Sequence, residues 1–140
     1  MFGNDRDSMR RYYLQCWQKF KQKQPLDALE TQIASVVAEH PEYHALLEHH
    51  DKTLQRDYLP EQGDTNPFLH MGLHLGIREQ VATNRPTGIR ELYQQLVIQY
   101  GNNAAEHRMM DCLAESIWLA QRHQTAPDEA AYLECLQHKR

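Results

Sequence analysis

His70 and His74 stand four residues apart in the run NPFLHMGLHLGIREQ. On a helix, side chains at that spacing share a face, with about 5–6 Å between their Cβ atoms. Two imidazoles so placed can converge on one ion, as in the metal-binding HExxH helix. Met71 occupies the position where that motif carries its glutamate, so the general base of a metalloprotease is missing. A second set follows at successive steps of four: His107, Asp111 and Glu115. A third pair, His40 and His44, flanks Pro41, where a break in the helix could turn an imidazole inward.

Imidazole and carboxylate ligands suit zinc, iron or manganese. Helical bundles build such centres from inward side chains on facing helices. The expected ligands are therefore His70, His74 and His107, with Asp111 as a fourth. Glu115 or His44 would complete a second ion or serve as a base, and the His40/His44 pair is the third contributor. Metal bound there would activate water or dioxygen. The competing expectation is a non-catalytic helical adaptor. In that case the buried histidines and Asp111 form a hydrogen-bonded network that fixes packing. The partner, a protein or a small molecule, would be held by an apolar groove or by residues 51–65, or the chain would pair as a homodimer.

The remaining histidines suggest less. His49 and His50 suit a helix C-terminus, where cations meet the dipole, and His123 and His138 lie near chain or helix ends. Glu79 is one step off the His70/His74 face and reads as the partner of a basic residue or as a group supporting a ligand. Cys16, Cys112 and Cys135 are odd in number, far apart and without a CxxC, which predicts reduced thiols in a cytoplasm. Cys112 is turned about 100° from Asp111 and reads as a small buried residue.

These side chains need helices to position them, and the periodicity predicts nothing else: an all-α chain, one bundle of five to six helices with a buried central helix at 66–82. The first helix, about Ser8 to Lys23, places Met9, Tyr12, Tyr13, Cys16, Trp17 and Phe20 on one side. The second, about Pro25 to Glu39, aligns Leu26, Leu29, Ile33, Val36 and Val37, and His40 continues that face. Pro41 stops it and opens a short helix to about His49. Asp51 to Thr65 lack periodicity and form the longest loop. Asn66-Pro67 then caps a helix that is apolar on every side, the mark of a buried centre. Gly72 and Gly76 point about 200° away from the two histidines. They could admit one helix closely while the histidines meet another. A turn at Thr83–Gly88 leads to a helix burying Ile89, Leu92, Tyr93, Leu96, Val97 and Tyr100, which Gly101 ends. Asn103 and Glu106 resemble a capping box. The fifth long helix, about Ala104 to Arg122, should bury Met110, Leu113, Ile117 and Trp118 or Leu119. A last short helix starts near Pro127.

With 140 residues, the chain fits one domain, and 41% hydrophobic against 24% charged residues is a globular balance. A net charge of -4 offers no basic footprint for nucleic acid. No apolar run approaches the roughly 20 residues of a membrane span, and the charged start MFGNDRDSMRR is unlike a signal peptide.

Three stretches, HPEYHALLE at 40–48, NPFLHMGLHLGIREQ at 66–80 and AEHRMMDCLAE at 105–115, together resemble a small proteobacterial family, domain-of-unknown-function family 1841. The resemblance spans nearly the whole chain. It implies a short bacterial cytoplasmic protein and assigns no activity. The ligand inventory is also similar in composition to hemerythrin-like bundles. Order and spacing differ, however, and the Glu-x-x-His motifs of ferritin-like proteins are missing.

Overall fold

The computed structural model describes residues 6–48 and 66–140. His49, His50 and the expected loop at 51–65 lie outside the described residues, as does Asp5. The described residues fold into six α-helices and two short 3-10 turns, with no strand among them. The chain divides into two compact units, Met1–Gly72 and Leu73–Arg140.

In the first unit, α1 (Arg6–Lys21) packs on α2 (Ala28–Ala38). Asp27 caps α2 through a complete capping box: its carboxylate accepts from the Glu30 N–H at 2.7 Å, and Glu30 accepts from the Asp27 N–H at 3.0 Å. Lys19 closes an ion pair from α1 to Glu30 at 2.7 Å. Tyr13, Trp17, Ile33, Val36, Val37 and Leu47 are buried here. The predicted face of α1 is trimmed at both ends, since Met9 and Phe20 are exposed and Leu14 is buried. Past α2 the chain tightens into 3-10 turns at Pro41–Tyr43 and Leu46–Glu48 in place of one short α-helix.

Helix α3 (Pro67–Thr83) starts as the sequence predicts, with Asn66 Oδ1 accepting from the Phe68 and Leu69 N–H groups and Pro67 in the first position. Burial follows a stripe of Phe68, Met71, His74 and Ile77, while Leu69 is 60% exposed. In the second unit α4 (Ile89–Tyr100), α5 (Asn102–His123) and α6 (Glu129–His138) surround a core that includes Ile77, Ile89, Leu96, Met109 and Leu136.

Three expectations are corrected in this unit. Gly101 both ends α4 and begins α5, with a φ of 87° and no side-chain cap, so Asn103 and Glu106 form no capping box. The buried stripe of α5 runs through Ala105, Glu106, Met109, Met110 and Leu113 and then stops, leaving Ile117, Trp118 and Leu119 exposed. Finally, Cys112 and Cys135 form a disulfide with their Cα atoms 5.9 Å apart, and only Cys16 is a free thiol. Separation in sequence hid this pair, because the turn between α5 and α6 returns the chain to the same place.

Candidate metal centre

His40 follows α2 with φ -125° and ψ 71°, outside helical geometry, as expected of a residue before proline. Its Nδ1–H donates to the Val36 carbonyl at 2.7 Å. The ring stacks on Tyr43, with centroids 5.4 Å apart, and meets His70 edge-on at 5.1 Å. The fixed backbone and the Val36 bond thus hold the His40 ring beside the first turn of α3. His44 is used differently. Its Nε2 bonds the Val37 carbonyl at 2.9 Å and its ring lies 4.4 Å from Trp17, so it packs the first unit.

In the second unit His74 is 3% exposed, and its Nδ1 bonds Glu106 Oε1. Glu106 also accepts from Arg78 Nε at 3.1 and 3.2 Å and pairs with Arg78 Nη2 at 3.1 Å. Burial alone would raise the Glu106 carboxyl, but the hydrogen bonds from His74 and Arg78 outweigh it and hold the group below the usual carboxylate range. The His107 Nδ1–H donates to the Asn103 carbonyl at 2.8 Å, and its ring meets His74 edge-on at 4.7 Å.

His70 and His74 are successive turns of the continuous helix α3. Each has a second imidazole beside it, His40 for one and His107 for the other. Each of these two histidine pairs offers ligand atoms of the kind that could hold a metal ion. The hydrogen bonds suit that use. A neutral imidazole that donates from Nδ1 carries its lone pair on Nε2, and partners of this kind orient metal-ligating histidines. Val36, Glu106 and Asn103 supply such acceptors for His40, His74 and His107.

The expected carboxylates are placed elsewhere. The Asp111 side chain is 74% exposed and pairs with Lys139 at 3.8 Å. Glu115 is exposed and lines a cavity against α6. The stripe 107/111/115 lies about 100° round α5 from the buried stripe through Glu106 and Met110, and its first member is the one that meets His74. The glycines also behave differently from expectation. A Cβ on Gly76 would lie 3.1 Å from Leu113, on the same helix α5 that carries Glu106 and His107. One helix therefore meets both the His74 and the Gly76 sides of α3.

Glu106, which the sequence pattern placed in a cap, is the carboxylate that stands behind His74. The signal was present: a carboxylate in line with Ala105, Met109, Met110 and Leu113 stands on an apolar stripe, where a charge needs partners.

The family described as Domain of unknown function (DUF1841) matches residues 5–138. The chain belongs to this family. No curated protein and no solved structure matches it. Among the described residues, no helix is long and apolar enough to cross a membrane.

Proposed function

We propose that this DUF1841 protein binds a divalent transition metal through His70 and His74 of α3, joined by His40 and His107. The observation that carries the reading is the shared hydrogen-bond pattern: three of the four imidazoles give Nδ1 to a carbonyl or carboxylate, which favours Nε2 as the ligand atom. Imidazole donors suit zinc, iron, copper or nickel better than manganese, which prefers oxygen. Bound metal would supply a Lewis acid, with Glu106 bringing one negative charge to the back of His74. A bacterial cytoplasmic setting belongs to the same proposal and rests on the family resemblance.

The test is metal content after purification without a metal-affinity column. Near one equivalent is expected, with loss on His70→Ala or His74→Ala and lower thermal stability after chelation. Less than about a tenth of an equivalent, with unchanged melting after chelation, overturns the reading.

A second reading is favoured by the buried His74–Glu106–Arg78 arrangement, which satisfies polar groups without metal. Here the protein is a helical adaptor whose polar network fixes packing. Retention of a co-purifying partner by the His70→Ala and His74→Ala proteins, with no metal found, would support it.

A further inference from the structure

The disulfide between α5 and α6 is set in the wall of a cavity. The cavity, about 470 Å³, is bounded by Cys112, Ser116, Leu119, Ala120, Tyr132 and Cys135. The two cysteines are unequal. Cys112 is buried at 1% exposure, whereas Cys135 is half-buried and also borders an outer hollow with Glu134, His138 and Lys139. A partly accessible cysteine joined to a buried one is the arrangement of an exchanging disulfide, because exposed disulfides are the labile ones. Glu115 and Asp128 also line the cavity and would repel an anionic visitor. Cys16 stands apart: it is buried, and burial together with Glu30 pushes its thiol up to about 11, so it stays a spectator.

We propose that Cys112–Cys135 is a reversible redox site, exchanging with a small neutral or cationic thiol that enters the cavity. The incoming thiolate attacks Cys135 Sγ. The protein S–S bond breaks, its electron pair passes to Cys112 Sγ, and that sulfur takes a proton from water. A second thiolate then attacks the small molecule's sulfur in the mixed disulfide and releases the Cys135 thiolate. The protein disulfide gains two electrons, and two small thiols leave as their own disulfide. Oxidation runs the same steps in reverse, with Cys112 as the resolving thiol. Reduction removes a covalent tie between α5 and α6. The Tyr132 hydroxyl bond to Gln80, at 2.6 Å, and the buried Leu136 remain to hold α6.

The experiment counts thiols by alkylation and intact mass under native conditions, with cysteamine, 2-mercaptoethanol and thioglycolate as probes. Rates are normalised to each thiol's rate with a small model disulfide. The oxidised chain should expose two new thiols on native reduction, with cysteamine the fastest probe. Ser116→Phe and Ala120→Phe, which fill the cavity, should slow the reaction by at least about tenfold by denying access. After cystamine treatment, Cys112→Ser should carry an adduct on Cys135, and Cys135→Ser should react at least about tenfold more slowly at Cys112. Reduction only after unfolding, equal adduct formation at both sulfurs, no effect of cavity filling, or a faster anionic probe would each overturn the proposal. Native reduction of the unmodified chain decides the matter even if a serine variant fails to fold.

Discussion

Replacing Glu106 by glutamine keeps its shape and removes its charge from a buried position that faces His74 and Arg78. The direction follows from the carboxyl being held below its usual range: the ionised form is favoured in the folded state, so losing the charge must destabilise. A hydrogen bond to a charged partner contributes about 1.5–3 kcal/mol and a neutral one about 0.5–1.5. The difference is about 1 kcal/mol or slightly more for each partner. The Arg78 share is reduced because its side chain is 27% exposed and screened. About 2 kcal/mol is therefore expected for Glu106→Gln. Unfolding entropy near the midpoint is about 2.1 cal/mol/K per residue, or about 0.3 kcal/mol/K over this chain, so the melting temperature should fall by about 7 °C. Circular dichroism melts with chelator present measure this without any metal contribution. A fall under about 2 °C would refute the reasoning, because burial would then cancel the two bonds. In the metal-loaded protein the same substitution should also weaken affinity by about 10–100-fold, since Glu106 orients His74 from behind.

Gly72→Ala should stabilise the chain by roughly 0.5–1 kcal/mol in urea melts, because among the described residues its new Cβ meets only the Tyr13 hydroxyl at 3.9 Å and the helix gains propensity. Gly76→Ala should gain less or lose stability, because its Cβ would press on Leu113 at 3.1 Å; equal gains at the two sites would refute the close approach. Asp27→Ala removes the α2 cap and should cost about 1 kcal/mol in the same melts. Glu30 is held below its usual range by the Asp27 N–H and by Lys19, so its contribution is present above the unfolded value of about 4.3 and is lost as pH falls through the lower folded value. Acid titration of Glu30→Gln should therefore show a shallower loss of stability below about pH 4, and an unchanged acid limb would count against that role.

The helices were legible because their signals are local. Asn66-Pro67 supplies a cap and a fixed φ whatever surrounds it, Gly101 supplies the positive φ that separates α4 from α5, and Pro41 takes His40 out of helical geometry. The pairing of His70 with His74 is equally local, since four residues make about one turn. What α5 turns toward α3 depended on packing. Residues 106 and 107 are neighbours in the chain but about 100° apart on the helix, so one orientation decides which of Glu106, His107, Asp111 and Glu115 face the histidines. That orientation follows the apolar stripe of Ala105, Met109, Met110 and Leu113, which buries Glu106 and leaves Asp111 in solvent. The disulfide is the same kind of case, because no spacing rule ties residues 23 apart until a turn returns the chain. The sequence by itself determined that the described chain is helical, where α3 begins and that two imidazoles share a face. Tertiary structure decided which carboxylate stands behind them and which cysteines meet, because those depend on contacts between elements that burial of apolar surface brings together.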